Sequence, residues 1–118
     1  MDVVEENAGD EVAGADPILS DPTLPDGDVI GPRGLVIVNR KGLHARASAR
    51  FVETVQRHDA TVLVEKDGEE VTGTDLLGLL MLAGTQGSTI AVSATGPDAV
   101  AALDDLEALV AGGFGEAD

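Results

Sequence analysis

The stretch Gly42-Leu43-His44-Ala45-Arg46-Ala47-Ser48 gathers the residues of this chain whose types and spacing suit chemistry. A polar turn, Asn39-Arg40-Lys41-Gly42, leads into it. A helical pattern leads out, with Ala47, Phe51 and Val55 recurring at intervals of four and Ser48 and Val52 alongside. His44 is thereby set at or beside a helix N-cap. The first amides of a helix, here those of Ala45, Arg46 and Ala47, have no intrahelical acceptor, and the helix dipole adds positive potential at that end. Such an end is an anion site. A phosphoryl group on an imidazole nitrogen would find backbone donors there and a charge-assisted contact from Arg46. Before modification, the same field favours a neutral, nucleophilic ring, and Gly42 lets the turn approach closely. Phosphoryl transfer asks a protein for a nucleophile and a positioned cation, and His44 and Arg46 are of those types. A histidine that merely caps a helix fits the same pattern, so the residues alone leave both readings open.

The other candidates are weaker. Arg46, Arg50 and Arg57 fall within ~40° on a helical wheel, a positive ridge leading from His44. Glu53 stands four residues before Arg57, in the favourable order for a pair. A solvated helix face explains the ridge equally well. His58, at the end of the same pattern, is expected to meet the last helical carbonyls. Asp104, Asp105 and Glu107 read as the wet face of a final helix. Thr85 and Gln86, between Gly84 and Gly87, form a turn without the lysine of a phosphate loop. No nucleophile elbow, zinc-ligand spacing or dinucleotide fingerprint is present, so no metal and no cofactor is expected.

The elements that must position His44 are legible from Gly34 onward. Leu35 to Val38 is apolar and β-branched, a strand, and Ala45 to Arg57 is the helix just described. Thr61–Glu65 and Glu69–Thr72 form strands joined by a Lys66-Asp67-Gly68 turn. Leu76–Leu82, an apolar run poor in β-branching, reads as a short buried helix. Thr89–Ala94 is a fourth strand. Gly96-Pro97-Asp98 opens a last helix with Pro97 at its first position, Val100, Leu103, Leu106 and Val110 on its buried face, and Gly112-Gly113 at its end. The order β-α-β-β-α-β-α predicts an α+β domain with its helices on one face of a single sheet.

Composition narrows the function classes. With 22 acidic against 7 basic residues the net charge is −15, which argues against nucleic acid. All the basic residues lie between Arg33 and Lys66, a concentration suited to an anion or an acidic partner. Without cysteine there are no disulfides or thiolate metal sites, which fits a reducing compartment. No apolar run approaches the ~20 residues of a membrane helix, and the acidic start lacks a signal-peptide pattern. A cytoplasmic location is expected. Residues 1–33 hold nine acids and four of the five prolines, and read as a disordered acidic tail before a domain at 34–118.

The motif Gly42-Leu43-His44-Ala45-Arg46 resembles the active-site motif of the histidine-containing phosphocarrier proteins of the bacterial phosphotransferase system, the HPr family. Gly73-Thr74-Asp75-Leu76-Leu77-Gly78-Leu79-Leu80-Met81-Leu82 resembles that family's second signature. The resemblance implies an open-faced β-sandwich with a four-stranded antiparallel sheet and three helices on one face. It implies a monomeric carrier, not an enzyme, phosphorylated on Nδ1 of His44 by enzyme I and discharged to an enzyme IIA-type domain. Arg46, with the amides of Ala45 and Ala47, would hold the phosphoryl group, and Leu76, Leu77 and Leu80 would form the docking patch, bordered by Arg50. Two departures stand out. Ala47 replaces the family's usual proline, and Ala47-Ser48-Ala49 resembles proteobacterial members, some of the nitrogen-related branch. Asp75 occupies the position of the family's regulatory serine. Two alternatives stay open: an interaction protein of this fold that is not phosphorylated, and a phosphotransfer domain like the dihydroxyacetone kinase phosphotransfer subunit.

Overall fold

The computed structural model describes residues 28–116. Strand β1 (Ile30–Val36) is followed by helix α1 (Ala45–Gln56), strands β2 (Thr61–Lys66) and β3 (Glu69–Thr72), helix α2 (Leu76–Met81), strand β4 (Thr89–Thr95) and helix α3 (Ala99–Ala111). A 3-10 turn, Gly113–Gly115, closes the order. The sheet runs β1-β4-β2-β3, antiparallel at every pairing. The expected order and open-faced α+β architecture are the ones observed.

Period-2 alternation decides which sheet face is covered. Ile90, Val92 and Ala94 of β4 point inward with Leu35, Val62 and Val64, and their neighbours along each strand are exposed or half-buried. From the helices, Ala47, Phe51 and Val55 of α1, Leu79 of α2, and Ala102, Leu103, Leu106 and Val110 of α3 join the same core. Phe51 and Phe114, the chain's two aromatic residues, are both fully buried.

Four expectations need correction. First, β1 begins at Ile30, so residues 30–33, assigned to the tail, pair with β4, with a register shift between Ile30 and Arg33. The prolines and acids masked a strand that tolerates Pro32 because β1 is an edge; of the proposed tail, residues 1–27 lie outside the described residues. Second, α2 is not a buried helix. Only Leu79 is buried, and Leu76, Leu77 and Met81 are exposed. Third, Val100 is 51% exposed, one residue off the α3 stripe that Ala99, Ala102, Leu103, Leu106 and Val110 form. Fourth, α3 starts at Ala99 after an Asp98 N-cap, which leaves Pro97 outside the helix.

Candidate functional site

His44 is the N-cap of α1, in extended conformation, and its side chain makes no capping bond. Its carbonyl accepts the first helical bond, from the Ser48 amide at 2.8 Å. The amides of Ala45, Arg46 and Ala47 precede that bond and so have no acceptor within the helix. The loop that presents them is pinned from several sides. Leu43 N–H donates to the Gly84 carbonyl at 2.8 Å and Gly42 N–H to that of Asn39 at 3.1 Å. The Ser48 hydroxyl donates back to the Leu43 carbonyl at 3.1 Å. Gly42 is obligatory here: φ is +65°, and an added Cβ would sit 2.2 Å from the Gly84 oxygen. Gly84 follows α2, so the short helix and the histidine loop are tied to each other.

The ring itself meets a residue that the sequence did not single out. Nε2 of His44 is hydrogen-bonded to Oε2 of Glu116, whose side chain is 9% exposed. Oε1 of Glu116 accepts from Nδ2 of Asn39 at 3.0 Å, and the same Asn39 nitrogen donates to the Gly42 carbonyl at 2.9 Å. The Asn39 hydrogen bond holds the Glu116 carboxyl below its ordinary 4.5. Burial opposes that shift, and the hydrogen bond and charge of His44 and the charge of Lys41 add to it. Glu116 is therefore a carboxylate at neutral pH. Nδ1 of His44 has no partner among the described residues.

Glu116 reaches the ring because of the turn before it. Gly113, Phe114 and Gly115 all have positive φ, +68°, +58° and +74°. Glycines take such a conformation freely. For Phe114 it costs about 1–2 kcal/mol, which burial of its ring, worth about 1.5–3 kcal/mol, offsets. Arg50 of α1 donates from Nη1 to the Phe114 carbonyl. Arg50, which the family resemblance sets at the border of a docking patch, anchors the turn that carries Glu116.

Arg46 is exposed and makes no ion pair or side-chain hydrogen bond among the described residues. The structure forms no Glu53–Arg57 pair. His58 does not turn its ring to the helical carbonyls: Nε2 meets Oδ2 of Asp105 at 2.7 Å, and only its backbone amide bonds back, to Val55 at 3.1 Å. Asp105, read as merely wet, is that partner. Arg33 pairs with the other two acids of the α3 face, Asp104 at 2.8 Å and Glu107 at 2.9 Å. In α2, Leu76 and Leu77 are exposed and Leu80 is half-buried. Asp75 is the N-cap of that helix, its Oδ1 accepting from the Gly78 amide at 3.0 Å, a bond worth about 1 kcal/mol in such positions.

An imidazole with one nitrogen fixed by a carboxylate and the other open, set at three unsatisfied amides, is an arrangement for carrying an anionic group. Comparison with known proteins agrees. The family model described as "PTS HPr component phosphorylation site" matches residues 33–112. The chain belongs to the HPr family. The HPr of Cupriavidus necator is 39% identical over 84 residues, 71% of this chain and 94% of that protein. The NPr of Escherichia coli is 41% identical over 81 residues, 68% of this chain and 90% of that one. Among solved structures, an HPr from Thermoanaerobacter tengcongensis superposes with a TM-score of 0.70 at 33% identity, covering 77% of this chain and 99% of that one. HPr-family membership brings with it a phosphocarrier role in the phosphotransferase system. Among the described residues no helix is long and apolar enough to cross a membrane.

Proposed function

We propose that this HPr-family chain accepts a phosphoryl group on Nδ1 of His44 from phosphorylated enzyme I and passes it to an enzyme IIA-type acceptor. The observation that carries the reading is the junction at α1, where a histidine whose Nδ1 has no partner among the described residues sits at the N-cap of a helix whose first three amides lack acceptors within it. The Nδ1 lone pair attacks phosphorus. The bond from phosphorus to the donor group breaks, its electron pair returning to the donor, and discharge runs the same exchange with the acceptor as nucleophile. The backbone donors and Arg46 meet the charge that the phosphoryl oxygens bring. The exposed Leu76 and Leu77, with Leu80, form the apolar patch against which both partners dock, and Arg50 borders it. The chain acts as a cytoplasmic monomer and needs no cofactor, metal or nucleic acid. HPr and NPr relatives stand at nearly equal identity, so the proposal rests on the carrier chemistry common to both branches.

Incubation with phosphoenolpyruvate and enzyme I, followed by intact mass, tests this. One acid-labile phosphoryl group is expected in the wild-type chain and none in His44→Ala; a wild-type chain that gains nothing refutes it. Asp75 adds a quantitative point. Its carboxylate sets a permanent negative charge at the start of α2, beside the docking patch, and is proposed to slow charging by enzyme I. Serine also caps helices, so Asp75→Ser removes the charge and keeps the cap. A severalfold faster initial rate is expected, and an unchanged rate removes the idea.

A further inference from the structure

We propose that the acidic segment 1–27 docks in cis on the surface around His44, its carboxylates on Arg40, Lys41 and Arg46 and its Ile18-Leu19 pair on the exposed leucines of α2, and so competes with the partners of the carrier site. The competition rests on the phosphocarrier reading above; the docking does not. The segment precedes the part of the chain that matches the family. It holds eight of the chain's 22 acids and none of its 7 basic residues.

The described domain leaves that charge one surface to meet. Three basic residues are engaged already: Arg33 with Asp104 and Glu107, Lys66 with Asp67, and Arg50 with the Phe114 carbonyl. Of the other four, Arg40, Lys41 and Arg46 are exposed within four residues of His44, whereas Arg57 stands alone at the far end of α1. Exposed acids repel the segment elsewhere, at Asp67, Glu69 and Glu70 around the β2–β3 turn and along α3. Two acids border the basic surface, and both are held: Glu116 by Asn39 and His44, Asp75 by the Gly78 amide. An apolar strip adjoins the cations, because the bond from Leu43 N–H to the Gly84 carbonyl ties the histidine loop to the chain just after α2, where Leu76, Leu77 and Met81 are exposed. Ile18-Leu19, set between Asp16 and Asp21, has the matching pattern, an apolar pair flanked by carboxylates.

Reach is sufficient. The segment leads into β1 where Ile30 pairs with Ala94, and Thr61, which follows α1, pairs with Thr95 at the same end of the sheet. The way to His44 is therefore the length of α1, about 18 Å for 12 residues. Ile18 stands ten residues before Asp28, a span of up to about 33–36 Å when extended. Tethering raises the effective concentration to the order of millimolar, so contacts too weak to hold a separate peptide suffice.

The chain has no cysteine, so Ser20→Cys in the full chain takes a single nitroxide beside Leu19, and 15N amide spectra report what it approaches. Broadening is expected at residues 41–50 and 76–81 and not at 67–70, with recovery when the segment's eight acids are replaced by their amides. Broadening that is absent, even over the domain or confined to other surfaces overturns the proposal. So does equal broadening when a labelled 14N chain is mixed with an unlabelled 15N chain, since the contact would then join two molecules. The unlabelled chains give the competition as an initial rate of charging by enzyme I. Neutralising the eight acids should raise that rate about tenfold if the segment covers the site about nine-tenths of the time. Ile18→Ser with Leu19→Ser keeps every charge and should raise it severalfold. A rate that rises on neutralisation but stays at the wild-type value in the serine pair reports net charge alone and overturns the proposal, as does an unchanged rate in both. The expected broadening in a chain that takes up no phosphate in any variant supports the docking and overturns the carrier reading instead.

Discussion

The two histidines stand at opposite ends of α1, and each turns Nε2 to a carboxylate from the C-terminal quarter of the chain, His44 to Glu116 and His58 to Asp105. The pairs are alike in chemistry and differ in setting. Glu116 is 9% exposed and held by Asn39, whereas Asp105 is 54% exposed, with His58 as its hydrogen-bond partner. His44 lies at the electropositive end, beside amides that precede the first helical bond; His58 lies past the electronegative end, where the neighbouring groups are carbonyls. An imidazole–carboxylate pair is therefore common material. In the proposed reading, the end of the helix it occupies decides whether the free nitrogen can hold an anion.

The sharpest way to break this comparison is to remove each ring in turn. His44→Ala should abolish phosphoryl uptake altogether, whereas His58→Ala should charge at the wild-type rate, both read by intact mass after reaction with enzyme I. Uptake that depended on His58 would reverse the assignment. Arg46→Ala comes next. Loss of one charge-assisted contact of about 1.5–3 kcal/mol predicts a fall of roughly 10- to 100-fold in charging rate. The equivalent change near the other end, Arg57→Ala, should leave that rate within about twofold, because the proposal sets the phosphoryl group at the N-terminus alone. Equal effects of the two arginines would show that a diffuse positive field, rather than the helix N-terminus, draws the phosphoryl group.

Most of the scaffold was legible because it is written in local patterns. The strand alternation, the spacing of Ala47, Phe51 and Val55, and the Gly42-to-Ser48 motif all act over a few residues, and each appears where expected. What stayed hidden depends on distance or on register. Glu116 is one of 22 acids and meets a ring 72 positions earlier; the one local hint is the run Gly112-Gly113-Phe114-Gly115, of which the pattern reads only Gly112-Gly113, as the end of α3. That run in fact places a buried aromatic between left-handed glycines. The start of β1 was hidden by Pro32 in an acidic context, since a single-sequence pattern cannot see that β4 is available to pair. The exposure of α2 reverses a rule of thumb: an apolar run predicts a buried helix, yet Leu76, Leu77 and Met81 face outward. That exception falls on the patch proposed above to dock partners.

The smallest expected effect is the pH dependence that Glu116 gives to stability. The Asn39 hydrogen bond sets the folded-state value of Glu116 below 4.5, assisted by His44 and Lys41 and opposed by burial. The folded state therefore binds fewer protons at this group than the unfolded chain does as the pH drops through 4.5. Its stabilising contribution is complete above that value and is lost progressively as the pH falls through the lower folded value. Glu116→Gln has no such proton to take up. Stability measured by urea unfolding between neutral pH and about pH 3 should decline more steeply for the wild type than for Glu116→Gln. Parallel curves for the two would mean that the Asn39–Glu116–His44 chain contributes nothing to folding, and that its upkeep in the structure serves the ring alone.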